Sequence, residues 1–143
     1  MADAKTLKTK LASGEFDARL KEVYLSDKAV EDQKERDAAI IDEFVKLFGD
    51  NDSIELFSAP GRTEVGGNHT DHNHGKVLAA SVDLDTVAAA AKRDDGIIVE
   101  KSFKFDALEV DITDLEVHTE EFGKSSGLIR GMCAGFKKHG YNI

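Results

Sequence analysis

Residues 61–75 read GRTEVGGNHTDHNHG and gather Arg62, Glu64, Asn68, Asp71, Asn73 and the histidines His69, His72 and His74 among four glycines, between two apolar runs. Core packing does not account for that density of polar groups. Glycines let a backbone come close to a small ligand, while short polar side chains supply donors and acceptors for a ligand rich in hydroxyl groups. Asn68, His69 and Asp71 are the candidates for such contacts. Composition alone is equally met by a solvated loop whose Asn and Asp residues cap turns.

Other patterns carry less chemistry. The spacing H-x-x-H-x-H is not a usual zinc pattern and Cys133, the single cysteine, lies far along the chain, so hydrogen-bonding or exposed histidines are favoured over a metal site. Gly123-Lys124-Ser125 looks like the end of a phosphate-binding loop, but His118 stands where that motif wants glycine, which leaves a capped helix. Cys133 falls on an apolar helical stripe and reads as a small core residue. Asp111, Asp114, Glu116, Glu120 and Glu121 read as a solvated face.

The elements around the polar segment alternate in type. Residues 1–30, with Leu7, Leu11, Leu20, Val23 and Tyr24, suit short helices lying on a surface. From Glu35 to Phe48 the apolar residues Ala39, Ile40, Phe44, Leu47 and Phe48 recur at helical spacing, with Gly49 as the stop. A strand is expected over 54–59, halted by Pro60-Gly61. Val77 to Asp83 is extended. Thr86 to Ala91 is helical by propensity, but its context predicts a strand that forms a hairpin with Ile97–Glu100 across the Arg93–Gly96 turn. Phe105 to Ile112 adds a strand. The final helix runs from a Ser125 or Ser126 cap to about His139, with Leu128, Ile129, Met132, Cys133 and Phe136 as its apolar stripe. Gly127, Gly131 and Gly135 each cost roughly 1 kcal/mol there, so close packing on another element is expected.

The bulk properties set outer bounds. A chain of 143 residues with 41% hydrophobic and 33% charged residues is about one soluble domain. A net charge of -9 argues against nucleic acid as a partner. A lone cysteine forbids an internal disulfide, and no stretch approaches 18 apolar residues or resembles a signal core. The expectation is a cytoplasmic protein with no membrane partner.

Order decides more than composition. The stretch APGRTEVGGNHTDHNHGKVL resembles the galactokinase signature A-P-G-R-x-N-x-x-G-E-H-x-D-Y-x-x-G, with Gly61, Arg62, Gly67, His69, Asp71 and Gly75 in matching positions. The resemblance covers residues 35–143 and implies the galactokinase, homoserine kinase, mevalonate kinase and phosphomevalonate kinase superfamily. It implies an α+β fold of the ribosomal protein S5 domain 2-like type, a mixed, largely antiparallel sheet with packed helices. Residues 1–34 would be a helical extension and 35–143 part of the N-terminal sugar-binding domain. The implied reaction is transfer of the γ-phosphoryl group of ATP, with Mg2+, to the anomeric hydroxyl of galactose or a related hexose. Arg62 would stabilise charge on the transferring group, Asn68, His69, Thr70 and Asp71 would bind the sugar, and Ser102 would lie near the nucleotide. No residue is implied as a metal ligand.

Three positions depart from the pattern: Glu64 replaces asparagine, Asn68 glutamate and His72 tyrosine. An amide at position 68 keeps an acceptor, adds a donor and removes a charge, which alters the hydroxyl arrangement preferred. The ATP loop, an aspartate near the reactive hydroxyl and the C-terminal domain of the relatives would lie beyond Ile143. The resemblance therefore implies a fragment, inactive alone, that needs the remainder of the kinase chain and is prone to self-association through uncovered apolar surface. The alternatives are a non-catalytic sugar sensor on the same fold and a free-standing sugar-binding module.

Overall fold

The computed structural model describes residues 2–51 and 53–143, which form two compact units, one reaching to Lys92 and one spanning Arg93–Ile143. Both combine helices with antiparallel strands, an α+β arrangement.

The first unit opens with α1 (Ala4–Ser13), α2 (Asp17–Tyr24) and α3 (Asp27–Phe48). Local chemistry sets their ends. The Asp3 carboxylate accepts from the Thr6 amide at 2.6 Å, and the Ser26 hydroxyl accepts from the Ala29 amide at 3.1 Å, each supplying an acceptor that the first helical turn lacks. Gly14, at φ 80°, closes α1. α3 is one continuous helix and begins eight residues before Glu35, because Ser26 provides a cap that apolar spacing does not reveal. Ala4, Leu7 and Leu11 bury one face of α1 against Ile41 of α3 and Ile54, both fully buried, with Phe16, Phe44, Val45 and Leu56 around them. Ala2 and Ile54 exchange backbone hydrogen bonds, which fastens the chain start to the residue before the first strand.

β1 (Glu55–Gly66) and β2 (Leu78–Ala90) form a long antiparallel ribbon. The expected stop at Pro60-Gly61 is overturned: β1 continues through both residues. Its register shifts between Pro60 and Arg62, where a bulge accommodates a residue without an N–H. Gly61 passes close to β2, since a Cβ there would lie 3.0 Å from the Leu84 carbonyl oxygen. β2 likewise runs unbroken through the two stretches expected separately.

In the second unit β3 (Ile97–Glu100) pairs with β4 (Leu108–Asp111), Ile97 opposite Asp111 and Glu100 opposite Leu108. The expected hairpin of Thr86–Ala91 with Ile97–Glu100 is therefore overturned, and the expected mixed sheet is instead two separate antiparallel ribbons among the described residues. The residues about Gly96 serve β4 instead. Gly96 accepts from the Ile112 amide at 2.9 Å, and the Asp95 carboxylate accepts from the Ile97 amide at 3.2 Å. β4 is shorter than the expected 105–112.

α4 (Ser125–Lys138) is capped at Lys124 rather than at a serine; Ser125 is already helical and Ser126 is buried. Arg130 locks α4 onto the preceding segment, its guanidinium donating to both Glu121 carboxylate oxygens at 2.8 and 3.0 Å and to the Asp111 and Asp114 carbonyls. Gly127 sits where a Cβ would lie 2.6 Å from the Glu121 carbonyl oxygen, whereas nothing lies within 4 Å of one at Gly131 or Gly135. Of the expected stripe only Cys133 is buried; Leu128, Met132 and Phe136 are exposed, because only one side of the helix meets β4 and the segment before it.

Candidate functional site

The polar segment divides between strand and turn. Arg62 lies within β1 opposite Ser81, just past the bulge, and is exposed. Glu64 faces Ala79 across the ribbon. Beyond Gly66 the chain folds into a compact turn that includes a 3-10 turn, Asp71–Asn73. Gly67, Asn68 and His69 have φ of 112°, 57° and 53°, three successive residues in the left-handed region, where Asn and His are better tolerated than most side chains.

Thr70 is the hub of this turn. Its hydroxyl donates to the Gly67 carbonyl at 2.9 Å, and its carbonyl accepts from the amides of Asn73 at 3.0 Å and Gly75 at 2.8 Å. Two glycines make the closure sterically feasible. A Cβ on Gly67 would sit 2.5 Å from the Lys76 carbonyl oxygen, and one on Gly75 would sit 2.0 Å from the Thr70 hydroxyl oxygen. Asn68, His69 and Asp71 remain exposed around this knot. His69 Nδ1 lies 3.0 Å from the Asp71 carboxylate. With Asp71 as acceptor, Nδ1 carries the proton and Nε2 becomes an acceptor, so the three side chains offer donors and acceptors within one turn. His72 stacks edge-on to His69 with ring centroids 5.8 Å apart and contacts the Asn73 amide.

A buried polar cluster beneath the ribbon escaped the sequence reading. Asp85, opposite Pro60 and with a side chain only 3% exposed, accepts from Tyr24 Oη, Ser58 Oγ and Arg36 Nη1, each at 2.5 Å. Arg36 also donates to the Asp85 carbonyl at 2.8 Å. Beside it the buried Gln33 amide donates to Asp37 at 2.6 Å. Burial pushes the Asp85 carboxyl upward, but hydrogen bonds from Ser58, Tyr24 and Arg36 outweigh it and hold the group below the usual carboxylate range. Asp37 is instead held above that range, chiefly by burial, which outweighs the Gln33 hydrogen bond and the nearby Arg36 charge. Burial, then the Asp85 contact, raises the Tyr24 phenol. The cluster ties α2 and α3 to both strands at the bulge preceding Arg62. Asp85 follows Asp83 in the alternating stretch Val82-Asp83-Leu84-Asp85-Thr86, and nothing local distinguishes the aspartate that becomes buried.

Ser102 lies in the second unit, its hydroxyl donating to Glu100 at 2.7 Å. Gly123-Lys124-Ser125 enters α4 directly after a 3-10 turn at Thr119–Glu121. Among the described residues no three His, Cys, Asp or Glu side chains converge on a possible metal position.

Residues 42–92 match the galactokinase galactose-binding signature, which spans the end of α3, both long strands and the Thr70 turn. The chain is 34% identical over 109 residues to the galactokinase of Lactococcus lactis subsp. cremoris and 36% identical over 107 residues to that of Lactococcus lactis subsp. lactis, 74% of this chain in each case. Over this stretch the chain is a relative of the galactokinases. Bacillus subtilis galactokinase is 30% identical over 103 residues, 70% of the chain. A crystal structure of Lactococcus lactis galactokinase complexed with galactose superposes with a TM-score of 0.64 at 33% identity over 74% of the chain. The chain spans about a quarter of these galactokinases: 27% of each Lactococcus lactis relative, 26% of the Bacillus subtilis one and 28% of the crystallised chain. Among the described residues no helix is long and apolar enough to cross a membrane.

Proposed function

We propose that this chain supplies the sugar-binding part of the N-terminal domain of an ATP-dependent galactokinase-type enzyme, of the S5 domain 2-like superfamily, with residues 35–143 in that domain and 1–34 as its helical extension. The observation that carries the reading is the Thr70 turn: inside the galactose-binding signature it presents Asn68, His69 and Asp71 together, exposed and with mixed donor and acceptor character. Asn68, His69 and Asp71 bind galactose or a related hexose. Arg62, on rigid strand rather than on the turn, stabilises charge on the phosphoryl group in flight to the anomeric hydroxyl, a reaction governed by positioning and electrostatics.

ATP and Mg2+ belong to the complete enzyme. The described residues do not fit them: no acidic trio converges, and the Gly123–Ser125 segment is a helix start following a 3-10 turn rather than a loop of free amides. Ser102, committed to Glu100, is the residue proposed nearest the nucleotide.

Calorimetric titration of a longer protein containing this segment with galactose, glucose and mannose tests the reading. Binding of galactose that falls at least tenfold in Asp71→Ala supports it; no saturable binding by any hexose refutes it. Assay of a longer protein containing this segment for ATP-dependent hexose phosphorylation then separates a kinase from a sugar sensor, which binds without turnover. The neutral Asn68 is the residue that favours testing sugars other than galactose.

A further inference from the structure

Among the residues of the turn, Thr70 differs from its neighbours in what its polar atoms do. Asn68, His69 and Asp71 are exposed, whereas Thr70 is half-buried, with its hydroxyl hydrogen spent on the Gly67 carbonyl and its own carbonyl shared by the Asn73 and Gly75 amides. Gly75 packs so closely that a Cβ there would lie 2.0 Å from the Thr70 hydroxyl oxygen and 2.8 Å from its carbonyl oxygen. That leaves no room for a ligand atom on the Gly75 side. Meanwhile Gly67, Asn68 and His69 hold consecutive positive φ values, a conformation that persists only when surrounding contacts over-determine it. The bond from Thr70 back to Gly67 spans those three residues, and the bonds from Asn73 and Gly75 close the turn from the other side.

We propose that Thr70 is a positioning residue: it ties both ends of the Gly67–Gly75 turn so that Asn68, His69 and Asp71 converge, and it does not itself touch the sugar. The proposal rests on the sugar-binding reading for its consequence and on the turn alone for its mechanism. Thr70→Val removes the hydroxyl at nearly constant volume, and Thr70→Ser restores it. Thr70→Val deletes the hydroxyl bond to the Gly67 carbonyl and keeps the main-chain carbonyl to which Asn73 and Gly75 donate, so loosening of the turn is read at those amides. In the sugar-free chain their hydrogen exchange speeds about tenfold in Thr70→Val, the scale of one lost hydrogen bond, and stays within about twofold of wild type in Thr70→Ser. Galactose affinity follows, falling about tenfold in Thr70→Val and recovering in Thr70→Ser, with the urea unfolding midpoint of the helices unchanged.

Unchanged exchange in Thr70→Val overturns the proposal. So does loss of galactose binding with exchange unaltered, the signature of direct contact, and so does a loosened turn that binds galactose as wild type does. A longer wild-type protein containing this segment that binds no hexose refutes the sugar reading separately, and the exchange comparison then still decides whether Thr70 anchors the turn.

Discussion

Replacing Asp85 by alanine leaves three donors without their acceptor, of which Tyr24 alone is buried while Ser58 is exposed. Tyr24 is itself only 9% exposed and its hydroxyl cannot rehydrate without moving α2, whereas the Arg36 side chain is 41% exposed and reaches solvent. Hydrogen bonds to a charged group contribute about 1.5–3 kcal/mol each. The buried Tyr24 hydroxyl taken at the low end gives about 1.5–2 kcal/mol, and the solvent-reached Ser58 and Arg36 donors together add about 1 kcal/mol. Asp85→Ala should therefore lower the unfolding free energy of the first unit by about 2.5–3 kcal/mol. Asp85→Asn is milder, about 1–2 kcal/mol, because its carbonyl oxygen still accepts from Arg36 while its amide donates to the Tyr24 and Ser58 oxygens. Urea unfolding at pH 7 and 25 °C, followed by far-ultraviolet circular dichroism, measures both. The folded Asp85 titrates below its unfolded value, so its stabilisation is present above the unfolded pKa, about 3.9, and is lost as pH falls through the lower folded value. The gap between wild type and Asp85→Ala should accordingly persist from pH 7 to about 4 and narrow below it. Equal losses in the two variants, or a loss under about 1 kcal/mol in Asp85→Ala, would refute the buried-acceptor reasoning.

Other outcomes follow from the same geometry. Asp37, whose folded pKa is raised by burial, favours the fold only while protonated, a contribution present below the unfolded pKa and lost as pH rises through the folded one; Asp37→Asn should be more stable than wild type at pH 7 and indistinguishable below about pH 4 in the same urea titration. Gly67→Ala drives a Cβ to 2.5 Å from the Lys76 carbonyl oxygen and 2.6 Å from Val77 Cα, so it should cost about 1–3 kcal/mol and abolish galactose binding in calorimetry while the helical circular dichroism signal survives. Gly131→Ala, with open space around its Cβ in a helix interior, should stabilise the second unit by about 0.5–1 kcal/mol in thermal unfolding. Leu128, Met132 and Phe136 leave an apolar face on α4, and the chain should show concentration-dependent association in sedimentation equilibrium, reduced in a Leu128→Glu, Met132→Glu double variant; a monodisperse monomer at all concentrations would count against an adhesive face.

What the sequence determined by itself was local or contiguous. The order Gly61-Arg62 to Gly75 carried the family resemblance because the residues of one turn are neighbours in the chain, and a helix end such as Gly49 was legible because capping is decided within a few residues. The pairing of β3 with β4, in place of a hairpin with the strand before it, was decided by tertiary structure, since a turn at Arg93–Gly96 is compatible with either partner and nothing local distinguishes them. The same holds for Pro60, where a register shift converts an expected strand end into a bulge that carries Arg62 within the ribbon. Apolar spacing likewise located the stripe of α4 but not what would cover it. The Asp85 cluster brings Tyr24, Arg36, Ser58 and Asp85 together from four elements, and Thr70 acquires its role only when Gly67 and Gly75 close around it. Residue types name the chemistry available; which carboxylate is buried, and which hydroxyl is left free for a ligand, depends on distances between segments that only folding sets.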